Sequence, residues 1–413
     1  MNTCSYLKKL ELKSLPHGLT QAVGKCPLII GIGPTAWPRL IPSFYFPKYK
    51  ILSYHNCFVN EVIKEFGVEV FSLKAFQPEL EISPVTPGQI LSTKLAQNFL
   101  ASQKEPFVFL VYKSSNKLEE LCDKNNWQFI GNKKAVRDIY EDKRVFKEIL
   151  PKIGIQPIPG ENMRIEELTS EKFVYYQKKF GQKKLVLQLA EMTYGGGCGT
   201  LFLDTPEKLK FFNQRVVEAR KELEGKKKKI ETVNVAPYII GISASITACA
   251  TKFGILTGPI QTQIIDVEEV GAKKANLSGN FAGHDWSFRH YSEEINKQAA
   301  NITERLGQYM YKNGYKGIFG IDLIIDEGVN KVWPVECNPR ETDAFPMISL
   351  LQLEQDAIPL DVFHNLEFLG MDYQIDIDQI NKSYKKTYDG SWHWRNRRRD
   401  KINSNFRIKG ENA

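Results

Sequence analysis

Residues 315–346 read YKGIFGIDLIIDEGVNKVWPVECNPRETDAFP, and the fold is decided here. Two apolar runs, 318–325 and 331–337, flank Asp326-Glu327-Gly328, a turn-forming stretch that predicts a β-hairpin. Asp322 lies on the first strand; Glu336 and Asn338 lie on the second, followed by Arg340. Residues two apart on a strand point the same way. Glu336, Asn338 and Arg340 therefore share one face, and the hairpin folds Asp322 back towards it. Two carboxylates and an amide oxygen on rigid strands make a hard-oxygen site for Mg²⁺, which favours few protein ligands plus phosphate oxygens. An adjacent arginine suits a transferring phosphoryl group or an acyl-phosphate oxygen. Polar residues at the solvated mouth of an ordinary hairpin are the plainer alternative; four positions in order on two strands favour the metal site.

The pattern Gly-x-Asp, then Glu-x-Asn-Pro-Arg about a dozen residues on, resembles the metal-binding end of the ATP-grasp superfamily. The resemblance covers roughly 133–369. It implies Mg²⁺, with Mn²⁺ able to stand in, held on ATP phosphates by Asp322, Glu336 and Asn338, while Arg340 contacts the reacting carboxylate or phosphate. The implied fold class is α/β: an N-terminal pre-ATP-grasp-like α/β domain over 1–132, then an ATP-grasp fold of two α+β subdomains. Of these, 133–232 is the small or lid subdomain and 233–370 the large subdomain with the metal site. A basic C-terminal tail follows over 371–413.

Composition is typical of a soluble globular protein. The chain has 413 residues, 42% hydrophobic and 25% charged, enough for two or three domains with a substantial core. A formal charge of +8 is mild at this length and fits anionic ligands such as nucleotides without calling for nucleic acid. The seven cysteines are an odd count and form no C-x-x-C pair, which argues against a disulfide framework or zinc knuckle and for a reducing cytosol. No signal-peptide pattern opens the chain, and no run approaches the ~20 apolar residues of a membrane span, so a cytoplasmic protein without a membrane partner is expected.

Taken in order, 1–26 reads as a polar lead-in and 27–32 as a strand ending in Gly31-Ile32-Gly33-Pro34, which lacks the third glycine of a dinucleotide fingerprint. Strands over 49–54, 68–72 and 106–112 alternate with helical spacing over 59–66, 93–104 and 116–124, and 127–130 closes the domain. Such alternation predicts a mainly parallel sheet. In ATP-grasp proteins a front domain of this kind often helps bind the acceptor.

Residues 141–150 (EDKRVFKEIL) predict an amphipathic helix ended by Pro151; its resemblance to the family's entry helix implies that Lys143 contacts ATP phosphate. By itself such a helix is a solvated surface element. A strand over 184–190 then leads to Gly195, Gly196, Gly197, Cys198 and Gly199, and a second strand over 201–203. Glycines let backbone N–H groups wrap anionic oxygens, so this hairpin predicts a phosphate lid, although it is no P-loop. One departure stands out. Gln188 occupies the strand position where the family often carries a lysine to the phosphates; Lys183, Lys184 or Lys143 is expected to supply that charge, or phosphate binding weakens. A charged helix is read over 213–229. The following stretch resembles the family's adenine hinge, implying Val233, Asn234, Val235 and Ala236 as cofactor-binding residues, with Ala236 where a ribose-holding glutamate is common.

Residues 279–290 read as a polar loop containing His284 and Asp285, 292–313 as a helix, 341–346 as a substrate-facing loop and 347–354 as a further helix. The end of the chain carries Trp392, Trp394 and an Arg397-Arg398-Arg399 cluster, most simply a packing strand or solvated tail.

The expected function is an ADP-forming, ATP- and Mg²⁺-dependent ligase that activates a small carboxylate as an acyl-phosphate for attack by an amine, with amino-acid or peptide ligation the generic choice. Arg340, Glu336 and Asn338 are the expected catalytic residues. The family admits a homodimer. Two rival classes stand beside it: an inactive ATP-binding protein, motivated by Gln188 and Ala236, and a nucleic-acid binder using the basic tail. A biotin-dependent carboxylase component shares the architecture, but no biotin-carrier segment is read here. No G-x-S-x-G motif points to a nucleophilic serine.

Overall fold

The computed structural model describes residues 15–191, 199–222, 229–265, 281–287 and 290–385. Gly195, Gly196 and Gly197, and the basic cluster near the C-terminus, lie outside the described residues.

The front of the chain forms a five-stranded parallel sheet from β1 (Leu28–Gly33), β2 (Tyr49–Ser53), β3 (Glu69–Ser72), β4 (Phe107–Val111) and β5 (Gln128–Ile130), ordered β3-β2-β1-β4-β5. Every residue of β1 is buried, as expected for a parallel strand covered on both faces. Helices Pro87–Leu91, Lys94–Ala101 and Asn116–Asn125 contribute to the core on one side, through residues such as Leu91, Phe99 and Leu118. The lead-in departs from expectation: His17–Gly24 is a helix, and Leu19, Ala22 and Val23 enter the core on the other side. That core is completed by helices Ala344–Glu354 and Leu360–Leu369 and by residues 371–385, which bring in Tyr373 and Tyr384. The first of these helices starts three residues earlier than the sequence suggested.

A four-stranded antiparallel sheet follows: β6 (Glu161–Arg164), β7 (Leu185–Leu189), β8 (Thr200–Leu203) and β9 (Thr232–Pro237), in the order β6-β9-β7-β8. Its own core packs Leu185, Leu187, Val233 and Val235 against Phe173 and Phe212 of the covering helices Ser170–Phe180 and Leu209–Glu222. The charged helix thus starts four residues before its expected position. The second antiparallel sheet has five strands, β10 (Ile242–Thr251), β11 (Gly254–Ile265), β12 (Phe281–Asp285), β13 (Gly317–Asp326) and β14 (Lys331–Asn338), ordered β12-β11-β10-β13-β14. Helix Glu293–Lys312, N-capped by the Ser292 hydroxyl, lays Ile295, Ala299, Ile302, Leu306 and Met310 on one face of it. Residues 281–285, expected in a loop, instead add the edge strand β12, with His284 opposite Gln263.

The helix read over 141–150 is the helix Lys143–Lys152, and a separate helix, Lys134–Glu141, precedes it. Asp142 breaks them: its backbone is extended and its carboxylate accepts the Arg144 N–H at 2.9 Å, as an N-cap does. Pro151 does not end the second helix but lies within its last turn. A glycine is required where the chain crosses between the antiparallel sheets. A Cβ on Gly241 would come within 2.5 Å of the Ile325 carbonyl oxygen on β13.

Candidate active site

The two antiparallel sheets enclose a cleft of about 790 Å³, and the expected hairpin forms its floor. β13 and β14 pair with Asp322 opposite Glu336 and Gly320 opposite Asn338, with an irregularity between Asp322 and Leu323. Asp322, Glu336, Asn338 and Arg340 all line the cleft, although the strand ends at Asn338 and Arg340 follows it in the chain turn.

Neighbouring strands fix the Asp322 carboxylate. Its Oδ1 accepts from Ser245 Oγ at 2.9 Å and from Gln263 Nε2 at 3.0 Å; its Oδ2 accepts from Asn338 Nδ2 at 3.3 Å. Gln263 Nε2 also reaches Ser245 Oγ at 2.7 Å. Across the hairpin, Glu336 Oε2 lies 2.6 Å from Lys143 Nζ. Arg340 donates to Asn338 Oδ1 at 3.2 Å, and its Nε lies 3.5 Å from Glu141 Oε1, an ion pair beyond hydrogen-bond length. Glu141 is also held by Lys113 at 2.7 Å and by Arg137, so the arginine beside the metal-type ligands rests on a charged network made by helix Lys134–Glu141 and by Lys113 of the front of the chain.

These contacts set the charges. Burial pushes the Asp322 carboxyl up to about 7, and the neighbouring Glu336 carboxylate adds to the rise. Burial opposes ionisation of Glu336 as well, but Lys143, by charge and hydrogen bond, outweighs it and holds that carboxyl below its usual range. Among the described residues no cluster of three or more His, Cys, Asp or Glu side chains is placed to hold a metal. Two carboxylates and one amide are the donor set instead. Its hard oxygens and small ligand number fit Mg²⁺, and the strain of two adjacent carboxylates is what a dication relieves.

The remaining expected residues divide. Lys143, Gln188, Gly199, Asn234 and Ala236 line the cleft. Val233 and Val235 do not: strand alternation turns both side chains, fully buried, into the core behind the sheet, while the backbones of Val233, Asn234 and Val235 pair with β6 and β7. Pro237, the last residue of β9 and the end of the stretch read as a hinge, continues the wall with Gly241, and Tyr238 and Ile239, which the sequence did not single out, lie between them. Lys183 and Lys184 are exposed at the start of β7, and Lys184 Nζ sits 3.8 Å from the centroid of the Tyr238 ring. Neither lines the cleft. Lys147 does, and its signal was available: it lies four residues after Lys143 on one helix, hence on the same face. Ile158, Val186, Phe202 and Ile324 give the cleft an apolar wall; Thr247, Gln261 and His284, whose imidazole burial drives down to about 3, are among its polar lining.

No protein-family model matches the chain, and no curated protein matches it in sequence. Solved structures do match in fold. The β,γ-ATP complex of biotin carboxylase from Campylobacter jejuni aligns at 14% identity over 88% of this chain and 74% of that one, with a TM-score of 0.61. Phosphoribosylamine–glycine ligase from Thermotoga maritima aligns at 16% identity over 84% and 76%, with a TM-score of 0.54. Carboxyaminoimidazole ribonucleotide synthase from Aspergillus clavatus, complexed with ATP, aligns at 16% identity over 84% and 78%, with a TM-score of 0.51. Among the described residues, no helix is long and apolar enough to cross a membrane.

Proposed function

Starting from the ATP-grasp fold that the chain shares with these enzymes, we propose that it is an ADP-forming ligase that uses ATP to activate a carboxylate for attack by an amine. One observation carries the reading: Asp322, Glu336, Asn338, Arg340 and Lys143 converge on the floor of one cleft, with Glu336 and Lys143 2.6 Å apart.

ATP is the proposed substrate, its base against the apolar wall and its phosphates over the hairpin. Asp322, Glu336 and Asn338 would hold Mg²⁺, which supplies neutralisation of phosphate charge. Lys143 meets phosphate oxygen from the helix side. Arg340, oriented by Asn338 and Glu141, faces the charge that builds as the substrate carboxylate takes the γ-phosphoryl group. The products of that step are an acyl-phosphate and ADP. The amine then attacks the acyl carbon, phosphate leaves, and the nitrogen loses a proton. The hairpin of β7 and β8, with Gly199 at its end, is the proposed cover over the phosphates.

The test is ADP and phosphate release from Mg·ATP across a panel of amino acids and short peptides, with Glu336→Gln alongside. Release that needs one acid and one amine, and vanishes in the variant, is expected. AMP and pyrophosphate as products would refute the acyl-phosphate route.

A further inference from the structure

Lys147 lines the cleft, and among the described residues its ammonium has no carboxylate partner. Its Nζ donates to Asn234 Oδ1 at 2.5 Å, and Asn234 Nδ2 in turn donates to Asn162 Oδ1 at 2.9 Å. This relay from β9 and β6 aims the ammonium. In the pairing of β7 with β9, Asn234 stands opposite Gln188, so Lys147 reaches from the helix to the very part of the wall where β7 offers only an amide.

The charges around it are one-sided. On its own helix, Lys143 also faces the cleft, but that ammonium is engaged by Glu336. From the small sheet, the groups beside Lys147 are the uncharged Asn162, Gln188 and Asn234. From the large sheet, Asp322 and Glu336 line the same cleft, and among the described residues no carboxylate forms an ion pair within 4.0 Å of Lys147 Nζ. Burial, with Lys143 adding to it, lowers the lysine to about 8. A half-buried ammonium next to a second one, with only amides to hold it, is costly until an anion arrives.

We propose that Lys147 is a polyphosphate-binding residue of this cleft, supplying from the helix the positive charge that Gln188 does not supply from β7. This rests on reading the cleft as a nucleotide site. Gln188 is then no mark of a failed enzyme, because the charge has moved to another element facing the same space.

Calorimetric titration of the full chain with Mg·ADP and with adenosine tests it. Lys147→Gln offers Asn234 an amide N–H in place of the ammonium and removes the charge, on a side chain one bond shorter. It is expected to weaken Mg·ADP roughly ten- to thirtyfold, the loss of one charge-assisted hydrogen bond, and to leave adenosine unchanged. Adding Gln188→Lys in that background is expected to restore most of the lost affinity. A wild type that binds Mg·ADP together with a Lys147→Gln protein that binds it equally well would overturn the proposal and leave the nucleotide site standing. Equal losses for adenosine and Mg·ADP would also overturn it, showing a structural tether instead. A wild type that binds neither ligand would remove the nucleotide reading itself, and the inference with it.

Discussion

Replacing Asp322 by asparagine is expected to make the free protein more stable at pH 8 while abolishing its response to Mg²⁺. The carboxyl titrates at about 7 in the fold against 3.8 for an unperturbed aspartate, chiefly through burial and then through Glu336. A shift of roughly three pH units corresponds to at most about 4 kcal/mol at about 1.4 kcal/mol per unit. The sign follows from proton counts. Between about pH 4 and 7 the folded state keeps a proton that the unfolded chain has released, so wild-type stability falls as pH rises through that window. Above it the penalty is complete. Asparagine escapes the penalty, keeps an oxygen for Ser245 and Gln263, and turns an N–H towards Glu336. It gives up the contact with Asn338 Nδ2, at a cost of about 1–2 kcal/mol. The net gain at pH 8 is then about 2 kcal/mol, or roughly 2–4 °C in Tm, with no gain or a small loss at pH 4. Thermal denaturation of both proteins at the two pH values, with and without Mg²⁺ at pH 8, is the assay. An equal loss of stability at both pH values would show that the carboxylate is under no charge stress. Equal Mg²⁺ stabilisation of both proteins would take Asp322 out of the metal site.

Affinity for Mg·ADP is expected to follow a bell with its maximum between about pH 7 and 8: Asp322 must lose its proton, at about 7, and Lys147 must keep its own, at about 8. Calorimetric Kd values at pH 6, 7.5 and 9 check this, and the alkaline limb should flatten in Lys147→Gln. Arg340→Ala should lower kcat by roughly a hundredfold or more while changing Mg·ATP affinity less than threefold, because its partner charge develops late. Steady-state kinetics with the true substrate decide it; unchanged kcat would remove Arg340 from the chemistry.

The hairpin was legible because strand alternation, a turn and polar residues at fixed offsets coincide within a short stretch, and Asp322 does lie opposite Glu336. The parallel sheet was legible for a similar reason, since strands such as β1 and β4 are short apolar runs bounded by turn residues. Other features were decided by tertiary context. His17–Gly24 reads as polar, yet three residues facing one way suffice once the helices near the C-terminus offer a core. Asp142 looks like one more helical residue until its side chain is seen capping Arg144. β12 carries Gly283 and His284 and has no clean alternation; pairing with β11 makes it a strand. Within the stretch read as a hinge, alternation sends the Val233 and Val235 side chains inward and those of Asn234 and Ala236 to the cleft, a division that the spacing of β9 alone implies once its buried face is known.

The charges on the cleft floor are interlocked in a way that no single motif conveys. In the free protein Lys143 neutralises Glu336, and a raised proton affinity at Asp322 relieves the second carboxylate, so each acid has its own remedy against the other. Neither remedy survives full ligation. If both carboxylates turn to a shared dication, Asp322 must release its proton and Glu336 must loosen its hold on Lys143. That ammonium is then free, beside Lys147, to face a polyanion. On the proposed function, binding of metal and of phosphate is expected to be mutually reinforcing through Lys143, since each would remove the partner that competes with the other. The reciprocal follows as well: a neutral residue at position 143 leaves Glu336 unneutralised in the free protein, and should strengthen metal binding alone while weakening binding of the metal–nucleotide complex.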